Sequence, residues 1–308
     1  MLISLVTFCL LIIYLSLNGS HLLKITTIEL KYILSIVALY FLHFVFLGLT
    51  HNLPLKKHSI NLTFKDWFGL STTSELLNLI LPAKGGTVLR MIYLKKNHQL
   101  SMRQFLSMGF AIVVSAFTLL GIIGAIYIRF YIINPNLILT FLESIFWAMS
   151  ISGILLILAN ETFSKVFRFQ RKINPKIYLK DISLITKTTF LYFALFSLYP
   201  LKIFLTFRAV GININFLDSF EISLAIILIS IFQIIPGNIG IKELLTAYLA
   251  SQYGINFETA LLASLIDRAI LFMFLLPTGT YFYWNIILNK SIRKNFIEAK
   301  EHLLSEKT

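Results

Sequence analysis

Two short stretches of this 308-residue chain gather residues that bind or balance charge around a proline and nearby glycines. The first reads Glu75-Leu-Leu-Asn78-Leu-Ile-Leu-Pro82-Ala-Lys84-Gly85-Gly86-Thr87-Val-Leu-Arg90. Glu75 and Asn78 stand three apart, which puts them on one helix face. Beyond Pro82, Lys84 and Arg90 are cationic donors suited to a phosphate or another anion. Gly85 and Gly86 permit close backbone approach and leave amide groups open to an anion. Each cation taken alone fits equally well a side chain that only reaches toward lipid headgroups. The second stretch reads Gln233-Ile-Ile-Pro236-Gly237-Asn238-Ile-Gly240-Ile-Lys242-Glu243. Glu243 just past a glycine turn is favourable at a helix N-terminus, but if the segment is buried both Lys242 and Glu243 need partners.

A third charged pair, Asp267-Arg268, lies inside the last long apolar run. Each such charge costs about 2.5–3.5 kcal/mol at the centre of a membrane helix unless paired or hydrated. A partnership of Glu243 with Arg268 would offset that cost. Lys187, Pro200 and Lys202 interrupt another apolar run, where they either line a cavity or kink a helix. The histidines at 21, 43, 51, 58, 98 and 302 lack metal-ligand spacing, and the single Cys9 excludes a multi-cysteine site. Phosphate-binding loops, dinucleotide fingerprints and nucleophile elbows are absent from the sequence. No metal, no cofactor and no catalytic residue is expected.

The elements that must position these residues are apolar. The chain is 57% hydrophobic and only 13% charged, about half the charged share of a soluble domain. Apolar runs long enough to cross a hydrocarbon core, which takes about 20 helical residues, read at 1–17, 31–49, 105–128, 137–159, 182–206 and 259–288. The segments broken at Pro82 and Pro236 are shorter. Backbone groups freed at such breaks must face protein or water, which a re-entrant hairpin achieves better than a straight span. The N-terminus has no basic stretch and no small-residue cleavage site, so residues 1–17 are expected to be a retained span.

Charge distribution sets the topology. With a cytoplasmic N-terminus and each broken segment entering and leaving on one side, regions 50–65, 84–103, 160–181 and 289–308 face the cytoplasm. They hold 19 basic residues, against 5 on the outside (Lys24, Lys31, Arg129, Arg208 and Lys242). Making either broken segment a full crossing would put a strongly basic loop outside. The expected fold is an all-α integral membrane protein, with about six full transmembrane helices and two re-entrant helical hairpins of opposite orientation. Pro82 and Pro236 stand 154 residues apart, half the chain. That spacing predicts an inverted repeat with halves at roughly 1–154 and 155–308, a pattern whose interrupted segments mark transporter substrate sites. Residues 1–288 then form one transmembrane domain, and 289–308 a short basic cytoplasmic tail lying on the membrane. The net charge of +13 sits in loops between spans, which points to lipid headgroups rather than nucleic acid.

Leu81-Pro82-Ala-Lys84-Gly-Gly86-Thr-Val-Leu-Arg90 resembles the first signature of the lysylphosphatidylglycerol synthase transmembrane-region family. Ile235-Pro236-Gly237-Asn238-Ile-Gly240-Ile-Lys242-Glu243 resembles its second, and Ser264-Leu-Ile-Asp267-Arg268 the segment that follows. The resemblance covers essentially the whole chain. The family includes the flippase half of bacterial multiple peptide resistance factors, which moves aminoacylated phosphatidylglycerol between leaflets. Other members are linked to lipid-carried glycans. This chain departs from the pattern at Thr87, where many members have Glu, and at Asn238, where glycine is frequent. It has Val113-Val114-Ser115 where many members place Glu-Arg. No aminoacyl-transferase domain follows residue 288 in this sequence, so aminoacylation of lipid is not expected of it.

The resemblance implies a translocase of the bacterial cytoplasmic (inner) membrane, with both termini cytoplasmic, for a phospholipid or polyprenyl-linked lipid. Lys84, Arg90 and Arg268 would engage an anionic headgroup, while Glu75, Asn78, Gln233 and Glu243 supply hydrogen bonds and charge balance. Two other readings stay open. One is a membrane glycosyltransferase using a polyprenyl-phosphate donor, for which the first loop offers only Glu29 as an external carboxylate. The other is a non-catalytic partner that recruits a glycan or lipid synthase.

Overall fold

The computed structural model describes residues 28–82, 84–131, 137–158, 176–231 and 235–288, and within them every regular element is a helix. In chain order these are α1 (Leu30–Leu55), α2 (Phe64–Ile80), α3 (Gly85–His98), α4 (Met102–Tyr131) and α5 (Leu137–Leu158). A single turn, α6 (Lys176–Leu179), precedes α7 (Ile182–Ala209), α8 (Phe216–Ile231), α9 (Ile241–Ser251) and α10 (Phe257–Phe282). Among the described residues, five stretches are long and apolar enough to cross a membrane: Leu30–His58, Met102–Tyr131, Leu139–Leu158, Ile182–Ala209 and Phe257–Ile286. The protein is a multi-pass helical membrane protein. The expected span at 1–17, the basic loop at 160–175, Gln233 and the tail at 289–308 lie outside the described residues.

Local sequence sets the helix ends. Asp181 and Asn256 accept hydrogen bonds from the Leu184 and Thr259 amides, each at 3.0 Å, and so cap α7 and α10. Ser101 and Gln104 form a reciprocal box at the start of α4: the Ser101 amide donates to Gln104 Oε1 at 2.8 Å, and the Gln104 amide to Ser101 Oγ at 3.2 Å. Lys57, just past α1, pairs with Asp181. That ammonium, with the Leu184 amide, holds the Asp181 carboxyl below the usual carboxylate range. Pro54, Pro200 and Pro277 fall inside α1, α7 and α10, each removing one ladder hydrogen bond.

Packing uses small residues, as expected where lipid removes the hydrophobic drive between helices. α4 lies along α5, where a Cβ on Gly121 would come within 2.6 Å of the Ser150 nitrogen. α1 lies along α7, and α2 is wedged between α1, α3 and α10. The run Ser71-Thr72-Thr73-Ser74 on α2 is fully buried. Thr73 Oγ1 reaches across to the Gly279 carbonyl of α10 at 3.1 Å.

The two broken segments are short. α2 and α3 run 17 and 14 residues, α8 and α9 16 and 11, all below the roughly 20 that a span needs. After α2 the chain turns at Leu81-Pro82, passes through a left-handed Lys84 (φ 55°), and α3 folds back onto α2. After α8 a 3₁₀ turn, Pro236–Asn238, leads to α9. Gly237, Asn238 and Gly240 have φ of 60°, 48° and 89°, a region that glycine and asparagine enter at least cost.

Gly86 is the tightest contact. A Cβ built there would overlap the Ser74 carbonyl of α2, which is backbone and cannot swing aside. Gly86→Ala is therefore expected to destabilise the detergent-solubilised protein by about 1–3 kcal/mol or more, read as a lowered unfolding midpoint. Gly109, with nothing within 4 Å of its built Cβ, is the control: Gly109→Ala should leave the midpoint unchanged or raise it, by up to about 1 kcal/mol.

Candidate functional site

The breaks free backbone groups that a continuous helix would satisfy, and in hydrocarbon each unsatisfied group costs several kcal/mol. Side chains take over that role. Asn78 Oδ1 accepts from the Gly86 amide at 2.9 Å, while Asn78 Nδ2 donates to Glu75 Oε2 at 3.2 Å. Asn238 Nδ2 donates to the Ile229 carbonyl at 2.9 Å near the end of α8. Glu243 Oε2 accepts from the Gly240 amide at 2.7 Å, which fixes the start of α9. Arg268 of α10 donates through Nη1 to the Gly237 carbonyl at 3.0 Å. Its Nε and Nη2 meet Glu243 Oε1 at 2.7 and 2.6 Å.

The two breaks touch. Lys84 Nζ, from the first turn, donates to the Ile231 carbonyl at the end of α8, 3.2 Å away. Gly237 sits against Leu79 of α2, where an added Cβ would fall 2.7 Å from Leu79 Cδ2. Each interrupted segment thus supplies part of the other's support.

Beside this junction, α1, α2, α7, α8, α9 and α10 line a cavity of about 100 Å³. One water needs only about 10–15 Å³, so the space holds several waters or a small polar group. Its charged lining is Glu75, Lys202, Lys242, Glu243, Asp267 and Arg268, with Tyr40, His43, Tyr199, Thr206, Thr246 and Ser264 between them. Arg268 and Glu243, 5% and 1% exposed, neutralise each other. Asp267 Oδ1 accepts from the Tyr40 hydroxyl at 2.8 Å. Lys202, 5% exposed, lies over the rings of Tyr199 and Tyr40 at 4.2 and 4.5 Å from their centroids. Among the described residues neither the Lys202 nor the Lys242 ammonium has a hydrogen-bonding or ion-pair partner. A cation–π contact recovers about 0.5–2 kcal/mol, less than the several kcal/mol that desolvating an ammonium costs. Both ammonium groups thus face the cavity without a direct ionic contact, beside acids that balance the formal charge of its lining.

The residues singled out from the sequence separate into groups. Glu75, Lys242, Glu243, Asp267 and Arg268 line the cavity. Asn78, Lys84, Gly86, Gly237 and Gly240 belong to the hydrogen-bonded frame around it. Gly85 starts α3 against Leu81, Pro236 is buried in the second turn, and Pro82 is exposed at the first. Arg90 is buried elsewhere, in a smaller pocket with His51, Asn52 and Ser71, and its Nε has no partner. Gln233 lies outside the described residues. Besides Lys202, three titratable lining residues lie outside the motifs: Tyr40, Tyr199 and His43. His43 was weighed only as a metal ligand; an imidazole in the middle of an apolar span was the signal. Lys202, beside Pro200, carried the same kind of signal and lines the cavity, whereas Lys187 is exposed.

The sequence model of the family described as "Lysylphosphatidylglycerol synthase TM region" matches residues 1–279. Comparison with curated proteins and with solved structures found no match.

Because the Arg268–Glu243 pair is buried, breaking it leaves an uncompensated charge. Arg268→Ala or Glu243→Ala alone is expected to cost about 3–5 kcal/mol, and the double variant less than the sum of the two singles. Unfolding midpoints of the four proteins in one detergent check this; strict additivity would show that the pair is not coupled.

Proposed function

The chain belongs to the lysylphosphatidylglycerol synthase TM-region family, and on that premise we propose that it translocates a membrane lipid or lipid-linked glycan whose headgroup carries a negative charge. Its family ties it to membrane lipid, and its five span-length helices make it multi-pass. The observation that carries the finer reading is the pair of ammonium groups, Lys202 and Lys242, that among the described residues make no direct ion pair or hydrogen bond although acids line the same cavity, at the junction of two broken segments. A phosphodiester between them would give both a direct ionic contact. The acyl or prenyl chains would stay against the apolar outer faces of the helices, where Phe190, Phe193, Met273 and Leu276 are exposed.

In this proposal α2–α3 and α8–α9 are re-entrant hairpins entering from opposite faces. The chain is an inverted repeat with halves near 1–154 and 155–308, built on six spans, in the bacterial cytoplasmic membrane with both termini inside. The short lengths of these four helices and their contact at Leu79–Gly237 favour that arrangement. Arg268 and Glu243 hold the second hairpin in shape, Asn78 holds the first, and Lys84 ties the first to the second. Glu75 and Asp267 set the charge balance of the cavity. Lys202 and Lys242 take the headgroup.

Exchange of fluorescent phosphatidylglycerol between leaflets of reconstituted vesicles tests the proposal. The wild-type protein should accelerate exchange. Lys202→Met and Lys242→Met should each slow it about tenfold or more, the equivalent of roughly 1.4 kcal/mol of headgroup binding. Absence of exchange for phosphatidylglycerol and for polyprenyl phosphate alike would defeat the proposal.

A further inference from the structure

His43 is an unassigned group in the same cavity. It lies on α1, is 9% exposed, and its Nδ1 is buried without a hydrogen-bond partner. Its ring meets the Tyr199 ring at 5.5 Å, on the residue whose ring also carries Lys202. The charged and titratable groups facing the space around it come from every wall of the cavity. They are Tyr40 on α1, Glu75 on α2, Tyr199 and Lys202 on α7, Lys242 and Glu243 on α9, and Asp267 and Arg268 on α10. Lys202, Lys242 and Arg268 formally cancel Glu75, Glu243 and Asp267, so with a neutral imidazole the empty cavity carries no net charge.

A phosphodiester entering that cavity adds one negative charge where charge is costly to leave uncompensated. Neutrality returns if one proton enters with it. With both lysines charged, three carboxylates and one imidazole are left to take it. Glu243 is bound to Arg268 and to the Gly240 amide, and Asp267 accepts from Tyr40. Glu75 lies within electrostatic reach of four cations, Lys84, Arg90, Lys202 and Lys242, and a single bound phosphodiester leaves Lys84 and Arg90 acting on it. His43 differs. The cations within its reach are Lys202 and Lys242, the same two a bound phosphodiester would neutralise. The anion therefore removes the repulsion that a proton on His43 would otherwise meet, and imidazole is the side chain that changes charge most readily near neutral pH.

Building on the translocase reading above, we propose that His43 is a coupling-proton site: an anionic headgroup bound between Lys202 and Lys242 carries one proton onto the His43 ring. Nδ1 and Nε2 both donate in the charged form, so the ring becomes a third donor to the bound phosphodiester. Binding then tightens as pH falls, because the complex holds one more proton than its separated parts. A zwitterionic headgroup brings its own positive charge and needs no proton.

The test is calorimetric titration of the full-length protein in detergent with short-chain phosphatidylglycerol, repeated near pH 7.5 in two buffers of different ionisation heat. The buffer dependence counts protons directly. The expected result is uptake of about one proton per lipid, with affinity rising toward tenfold per unit fall in pH. Short-chain phosphatidylethanolamine should bind without uptake or not at all. His43→Asn should abolish the uptake and flatten the pH dependence, whereas Glu75→Gln should keep both. Glycerophosphoglycerol, the same phosphodiester without acyl chains, distinguishes a lipid from a free phosphate ester: equal affinity and equal uptake with it would overturn the lipid assignment. Phosphatidylglycerol binding to wild type with no proton taken up overturns the coupling while leaving translocation standing, and needs no variant to fold. Retained uptake in His43→Asn overturns the assignment to this residue. Failure of the wild type to bind phosphatidylglycerol at any pH removes the headgroup reading and the coupling together.

Discussion

The contact on which the rest of the site depends is Arg268 bound to Glu243 and to the Gly237 carbonyl. One guanidinium joins α10, the start of α9 and the open turn between α8 and α9. Glu243 in turn holds the Gly240 amide, so two of the backbone groups exposed by the second break are satisfied through one ion pair. The geometry needs a planar group with several donors at fixed angles, which arginine has and lysine lacks. Without the pair the turn would expose bare backbone to hydrocarbon, and the walls of the cavity formed by Lys242, Asp267 and Thr246 would lose their registration. The first break solves the same problem with neutral chemistry, through Asn78 on the Gly86 amide, and borrows Lys84 to finish the end of α8.

Cations in this membrane domain therefore do two different jobs. Lys84 and Arg268 are consumed by backbone carbonyls and a carboxylate; they are structural charges. Lys202 and Lys242 are left facing a cavity, with aromatic faces under the first and, among the described residues, no direct hydrogen bond or ion pair for either. Only the first kind recovers the cost of burial through direct contacts inside the protein. Two ammonium groups without a direct ionic contact, in one cavity whose formal charges cancel, follow from that asymmetry.

Much of this was legible in the sequence, and the limits of what was legible are physical. Apolar run lengths anticipated the spans at 31–49, 105–128, 137–159, 182–206 and 259–288, because hydrocarbon thickness alone sets that period. Proline and glycine located both breaks for the same reason they exist, the loss of ladder hydrogen bonds. The Glu243–Arg268 partnership could be anticipated because two unpaired charges in an apolar run demand a neighbour, and α10 is the next long element. Arg90 shows where such reasoning stops: its type and spacing match a ligand for the first turn, yet the rotation of α3 around Gly86 points it into a different pocket. Lys202 and His43 come from α7 and α1, far from either motif; helix spacing sets Lys202 over Tyr199 three residues earlier, and only tertiary packing brings His43 to the same ring.

That packing also explains why the cavity must be crowded with opposing charges rather than simply positive. A site holding three unbalanced cations in a low-dielectric interior would be too costly to build, and one that bound an anion through them would release it slowly. With Glu75 and Asp267 in the lining, the empty cavity is close to neutral, and an anion gains only the difference between two balanced states. The proposed translocation would need that compromise, since a headgroup bound too strongly at the midpoint would never reach the far leaflet. In that proposal the acids beside the two lysines would weaken the hold on the anion, and the His43 ring would take a further positive charge only once the anion is present.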